Sequence, residues 1–122
     1  MAKNILIVED DDFFRELISK RLSSEGYDIS EAIDGEQGIE KINEGGIDLI
    51  ILDILLPGID GFEVLSKIKE NPAVSSTPVV ILSNLGQKEE VEKGMNLGAT
   101  DYLIKAQVTS DEIVNKVKSV LK

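Results

Sequence analysis

Residues 5–8, 47–52 and 79–82 are short runs in which nearly every position is apolar, without the apolar–polar alternation of a half-wet strand. Such runs read as strands buried on both faces, the habit of parallel sheets. Between them the apolar spacing becomes helical. Phe14, Leu17, Ile18 and Leu22 recur at helical intervals, and Gly26 supplies a stop. Residues 27–32 make a weaker, half-polar strand suited to a sheet edge. Asp34 and Gln37 have capping-box spacing for a second helix, which Gly45-Gly46 ends. Asp60 and Glu63 have it for a third, which fades at Asn71-Pro72 because the residue before proline disfavours helix. A polar helix over 88–96 stops at Gly98, and residues 102–104 form a last strand. Thr109 caps a final helix whose Ile113, Val117, Val120 and Leu121 face inward. Five strands thus alternate with five helices. The alternation predicts a doubly wound α/β fold, a five-stranded parallel sheet with five helices on two faces; right-handed crossovers leave few topologies, and with connections this short the order 2-1-3-4-5 is the leading choice.

At 122 residues the chain can bury a core without staples, and a single domain over residues 1–122 is expected. It has no cysteine, which excludes disulfides and thiolate metal sites. It has no histidine either, so serine–histidine and cysteine–histidine nucleophile pairs, histidine zinc sites and imidazole acid–base chemistry are impossible. Chemistry must run on carboxylates, hydroxyls, lysine and a bound cation. The formal net charge of −10 disfavours direct contact with nucleic acid or an anionic membrane. No stretch approaches about 18 apolar residues and no charged-then-apolar leader opens the sequence. Neither a membrane span nor a signal peptide is expected, and a cytoplasmic location is.

The strand ends carry the chemistry. The first strand ends in Glu9-Asp10-Asp11-Asp12, the third in Asp53, the fourth in the Ser83 hydroxyl and the fifth in the Lys105 amine. In the predicted order the first and third strands are neighbours where the winding reverses, so Glu9, Asp10 and Asp53 converge where open α/β sheets bind ligands. Two unit charges about 5 Å apart at an effective dielectric near 20 repel by roughly 3 kcal/mol. Three such pairs approach the ~5–15 kcal/mol total stability of a domain, so the acids must protonate, splay into water or hold a metal. An all-oxygen donor set with open positions suits Mg²⁺ (or Mn²⁺), which keeps waters and accepts phosphate oxygens. A phosphoryl group in transfer spreads its charge over three oxygens. The cation can take one, Lys105 a second, and Ser83 with backbone N–H groups the third, leaving Asp53 as nucleophile. Singly, each residue has a plainer role: Asp11, Asp12 and Asp60 as helix caps, Ser83 as a turn hydroxyl, Lys105 as a solvated end. Four polar groups at matching strand ends are not explained that way.

Ile-Val-Glu-Asp-Asp at 7–11, Leu-Asp-Ile-Leu-Leu-Pro-Gly-Ile-Asp-Gly at 52–61, Ile-Leu-Ser at 81–83 and Asp-Tyr-Leu-Ile-Lys at 101–105 follow one another in order. On these motifs the chain resembles the receiver domain of two-component response regulators, chemotaxis-regulator-like, over residues 3–121. The resemblance implies a flavodoxin-like fold and a phosphorelay signalling role. A phosphohistidine on a partner histidine kinase or histidine phosphotransfer protein would donate its phosphoryl group to Asp53 in a Mg²⁺-dependent reaction. It also implies that the chain is no turnover enzyme, only a catalyst of transfer onto its own aspartate and of slow autodephosphorylation. Asp10 is the implied direct metal ligand, Glu9 acts through water, and Asp53 with the backbone carbonyl of Leu55 completes the set. Lys105 is the implied phosphate-binding lysine, Ser83 the switch hydroxyl and Tyr102 the rotating aromatic. Ser83 moving to the phosphoryl group would let Tyr102 turn inward, remodelling the face of the fourth helix, fifth strand and fifth helix for a downstream protein. The plainer reading of Tyr102 is an aromatic packed at the sheet edge.

Three departures from that family's pattern stand out. Lys105 precedes Ala106 where the family usually has Lys-Pro with a cis peptide. A non-proline cis bond costs roughly 2.5–4 kcal/mol, so this one is expected to be trans or strained. Asn84 stands where a small residue is common and is expected to narrow access to Asp53. Leu55 and Leu85 occupy positions that are often polar and orient the hydrolytic water, so slow loss of phosphoryl is expected. Among rivals, a flavin or nucleotide module wants a Gly/Ser/Thr-rich phosphate loop after the first strand, the opposite of Glu9-Asp10-Asp11-Asp12. A turnover phosphatase wants an acid–base aspartate where Leu55 stands. A degenerate receiver, binding partners independently of phosphorylation, is the remaining alternative; the complete set of site residues counts against it.

Overall fold

The computed structural model describes residues 2–122. In chain order the elements are β1 (Asn4–Val8), α1 (Asp12–Ser24), β2 (Asp28–Ala32), α2 (Gly35–Glu44), β3 (Leu49–Leu52), α3 (Gly61–Glu70), β4 (Val79–Ser83), α4 (Lys88–Asn96), β5 (Asp101–Ile104) and α5 (Ser110–Val120), with a 3₁₀ turn at Lys105–Gln107 before α5. Every strand pairing is parallel, and the order β2-β1-β3-β4-β5 is the one expected.

Alternate side chains of the central strands feed two cores. Leu6, Val8, Ile50, Leu52, Val79 and Ile81 pack with Ile42 of α2 and with Val64, Leu65 and Ile68 of α3. Ile5, Ile7, Leu49, Ile51, Val80 and Leu82 pack with Ile18 and Leu22 of α1 and with Ile113, Val114 and Val117 of α5. Because both faces are covered, β1, β3 and β4 need apolar residues at consecutive positions.

The helices begin where side chains satisfy their orphan N–H groups. Asp11, Asp34 and Asp60 accept from the N–H groups of Phe14, Gln37 and Glu63. Thr109 and Glu112 form a reciprocal capping box. Asp12 is not the cap expected: it lies inside the first turn of α1 and pairs with Arg15 at 2.7 Å. Leu17 is 49% exposed beside the buried Ile18, and Val120 and Leu121, expected to face inward, are only half-buried. β3 starts at Leu49 rather than Ile47; just before it, the Asp48 carboxylate accepts the Asn4 N–H at 2.7 Å and the Asp48 N–H donates to the Asn4 carbonyl at 2.8 Å.

Two glycines fix distances near the functional end of the sheet. A Cβ at Gly61, the first residue of α3, would run into the Asp53 carbonyl and the Ile54 Cα, so only glycine lets α3 start this close to β3. A Cβ at Gly94 would stand 2.7 Å from Ile81 Cδ1 and 2.9 Å from Tyr102 Cδ2, so glycine brings α4 down onto the β5 aromatic. No peptide bond among the described residues is cis, so Lys105–Ala106 is trans.

Candidate functional site

Register brings the polar groups to one end of the sheet. Val8, Leu52 and Ile81 lie side by side across β1, β3 and β4, and Glu9 and Asp53 are each one residue further on. Ser83 lies level with Ile104, which Lys105 follows. Glu9 and Asp53 are each only 3% exposed, while Asp10 is exposed. One carboxylate oxygen from each of the three lies within 4.8 Å of the others, an all-oxygen group able to hold a metal ion.

Lys105 holds the two buried acids together. Its Nζ is 2.7 Å from Asp53 Oδ2 and 2.5 Å from Glu9 Oε1, and it sits 4.6 Å from the centre of the Phe14 ring. The second oxygens are also used: Glu9 Oε2 accepts the Asp11 N–H at 3.0 Å, and Asp53 Oδ1 accepts the Leu55 N–H at 3.1 Å. Even so, two buried acids share one ammonium. Burial pushes the Glu9 carboxyl up to about 7, with Lys105 and the Asp11 N–H pulling down and the Asp53 charge adding to the rise. For Lys105, burial lowers the pKa, but the hydrogen bonds to Asp53 and Glu9 outweigh it and the net shift is upward.

Ser83 is fully buried and its Oγ accepts the Leu85 N–H at 3.2 Å. Tyr102 already stands inward. Its ring is 8% exposed, its hydroxyl donates to the Leu85 carbonyl, and burial followed by the charges of Glu90 and Asp53 pushes the phenol up to about 12. The expected sequence, in which Ser83 must move before Tyr102 turns in, does not describe this arrangement. Asn84 also differs from expectation. Rather than covering Asp53, it is exposed and its Oδ1 accepts the Ala106 N–H at 3.0 Å. Leu55 is 53% exposed, and Leu85 is half-buried against the core under α3 and α4.

Sequence reasoning missed Arg15 and the role of Phe14. Arg15 Nη1 donates to the Glu9 carbonyl at 2.8 Å, Nε to Glu31 at 3.0 Å and Nη2 to Asp12 at 2.7 Å, so it fastens the turn after β1 to the edge strand. The Asp12–Arg15 spacing was the one signal available, and it says nothing of Glu9 or Glu31.

A family model described as the response regulator receiver domain matches residues 5–118. Among curated proteins, the DNA-binding dual master transcriptional regulator RpaA of Synechocystis sp. is 36% identical over 118 residues, covering 97% of this chain and 48% of its own length. The transcriptional regulatory protein ResD of Bacillus subtilis is 37% identical over 118 residues, covering 97% of this chain and 48% of its own length. The chain thus spans about half the length of these curated relatives. Among solved structures, a CheY-like receiver domain protein from Methanospirillum hungatei superposes with a TM-score of 0.92 at 28% identity, covering 99% of this chain and 94% of the other. The receiver domain of the Francisella response regulator 1452 does so with a TM-score of 0.91 at 29% identity, covering 98% and 96%.

Proposed function

The chain belongs to the response regulator receiver domain family of two-component signal transduction, and from that premise we propose that Asp53 is its phosphoryl acceptor. The donor is a phosphohistidine on a histidine kinase or a histidine phosphotransfer protein. In the transfer the phosphorus–nitrogen bond of the donor breaks as a bond forms from phosphorus to an Asp53 carboxylate oxygen, and the imidazole leaves with its electron pair.

The observation that carries this reading is the position of Lys105, whose ammonium bridges Asp53 and Glu9 in a buried site with Asp10 alongside. A carboxylate becomes an acceptor only where something positive meets the charge brought in by the donor. Lys105 stays within reach of a phosphoryl oxygen on Asp53, and the Leu55 N–H supplies a donor on the other side. The Ser83 Oγ accepts from Leu85, which leaves its O–H free to donate to a phosphoryl oxygen. Glu9, Asp10 and Asp53 fit Mg²⁺, or Mn²⁺, because they offer only hard oxygen donors and Asp10 leaves an open side for water; the Leu55 carbonyl would join them. When bound, the cation supplies charge stabilisation for phosphoryl oxygens.

The output is a population shift. Tyr102 is seen inward against Leu85, so phosphorylation would favour an arrangement the chain already adopts over one with the ring turned out. The face of α4, β5 and α5 then differs for a downstream protein. With a net charge of −10 that partner is a protein rather than nucleic acid, and residues 1–122 act as one domain. No described helix is long and apolar enough to cross a membrane, and the reading places the reaction in the cytoplasm with the donor kinase's phosphohistidine.

Intact mass after incubation with acetyl phosphate and Mg²⁺ tests the assignment. A species heavier by one phosphoryl group is expected in the wild type and absent in Asp53→Asn. Equal labelling of the two would place the acceptor elsewhere, and no labelling of either would favour the phosphorylation-independent module.

A further inference from the structure

We propose that Asn84 is a positioning residue for this site: its side-chain oxygen, by bonding the Ala106 N–H, fixes Lys105 against Asp53 and ties the lysine to the Ser83 end of β4. The inference rests on the reading of Asp53 and Lys105 given above and deepens it.

Asn84 and Ala106 are two of the places where the sequence departs from the pattern of the receiver family, and in the fold they touch. A proline after Lys105 would have no N–H. Ala106 has one, and it falls in the Lys105–Gln107 turn, where the first N–H groups have no partner inside the turn. Asn84 Oδ1 takes it at 3.0 Å. The turn begins with Lys105 itself, so whatever anchors Ala106 sets where the lysine stem leaves the backbone. A side chain of four methylenes needs such an anchor, since its many rotamers otherwise spread the ammonium over a wide volume.

The hydrogen bond does not stand alone. Gly86 lies so close to β5 that a Cβ there would stand 2.7 Å from Ile104 Cδ1. The Tyr102 hydroxyl donates to the Leu85 carbonyl, and the Leu85 N–H in turn donates to Ser83 Oγ. Residues 83–86 are therefore fastened to residues 102–106 at three successive positions, and Asn84 provides the fastening nearest the lysine. A shift of Ser83 toward a phosphoryl oxygen would carry the Lys105 turn with it.

Asn84 and Ala106 are both exposed, so substitutions there should leave the core intact. The test is a double-mutant cycle of Asn84→Ala and Ala106→Pro, reading the rate of phosphoryl uptake from acetyl phosphate with Mg²⁺. In the wild-type background Asn84→Ala should slow uptake by about 3- to 10-fold, the scale of one hydrogen bond. In the Ala106→Pro background, with no N–H to accept, the same substitution should change nothing. Equal slowing in both backgrounds would overturn the proposal. A second arm needs no phosphodonor: the side-chain ammonium of Lys105 followed by ¹⁵N NMR. Held between two carboxylates, it should give a protected signal in the wild type that broadens or disappears in Asn84→Ala. An unchanged signal would refute the positioning role. A wild type that takes up no phosphoryl group would sink the assignment of Asp53, while the NMR arm would still decide the role of Asn84.

Discussion

Replacing Lys105 with methionine keeps most of the apolar stem and removes the ammonium that Glu9 and Asp53 share. Deleting one partner of a buried ion pair costs about 3–5 kcal/mol, because the charge left behind has lost both water and its counter-ion. Here Glu9 has an escape through protonation, and its sign can be worked out. Burial raises the folded-state pKa of Glu9 from 4.5 to about 7, so its contribution to stability is complete below 4.5 and is lost as pH rises through about 7. Lys105 is among the groups holding that value down, so its removal moves Glu9 further up and enlarges the loss. The metal-free variant should be less stable than wild type by about 3 kcal/mol near pH 8 but by only about 1 kcal/mol near pH 5. With an unfolding entropy of about 2.1 cal/mol/K per residue, the larger figure corresponds to a fall of about 12 °C in Tm. The chain has no tryptophan, so far-UV circular dichroism melts in EDTA are the suitable assay. Adding Asp53→Asn to the variant removes one of the two opposed charges and should restore about 1–2 kcal/mol near pH 8. Equal destabilisation at the two pH values, or no restoration by Asp53→Asn, would refute the account of two acids sharing one cation.

Further outcomes follow from the same geometry. The pair Leu55→Asn and Leu85→Glu should shorten the half-life of the phosphoryl group, read as decay of the heavier species by intact mass; an unchanged or longer half-life would show that these leucines do not restrain hydrolysis. Gly61→Ala places a Cβ against the backbone of Asp53 and Ile54, which cannot yield like a side chain, and should cost about 2–3 kcal/mol in urea unfolding. In a Tyr27→Phe variant, where Tyr102 is the remaining tyrosine, ultraviolet titration should place its ionisation at about 12. Because the folded value is raised, Tyr102 should contribute a loss of stability as pH climbs from about 10 to about 12, and a midpoint at the ordinary 10.0 would mean the ring is not held inward.

The central strands were legible because burial on both faces leaves no alternation to obscure; connection length and handedness narrowed their order to a few, and the resemblance to the receiver family favoured the one observed. That order alone was enough to bring Glu9, Asp10 and Asp53 together. Finer placement was not. Leu17 has the spacing of the apolar stripe on α1 but lies at its edge, where a shift of one residue turns a side chain outward. Asp11 and Asp12 are both good caps by composition, and in the fold Asp11 takes the Phe14 N–H while Asp12 enters the helix and pairs with Arg15. Asn84 and Ala106 are 22 positions apart, and no local pattern joins them. The Tyr102 rotamer depends on a backbone carbonyl at Leu85, which no side-chain pattern reveals.

The acid pair is where the molecule concentrates its electrostatic conflict. Its strands, caps and glycines suit the fold, whereas a buried pair of acids is balanced by one lysine, which is where a functional site is expected to break the rules. A ligand shifts an equilibrium only by its unequal interaction with the two states, so a switch needs a charge balance that changes on modification and a structure that feels the change. Phosphorylation of Asp53 would supply the first, since Lys105 would then face a phosphoryl oxygen instead of a free carboxylate. The chain path supplies the second: the turn that carries Lys105 is bonded to Asn84, the same loop accepts the Tyr102 hydroxyl at Leu85, and the Tyr102 ring lies directly under Gly94 of α4. A rearrangement at the lysine therefore has a short packed route to α4. A site whose acids were each separately neutralised would be more stable and would have nothing to transmit.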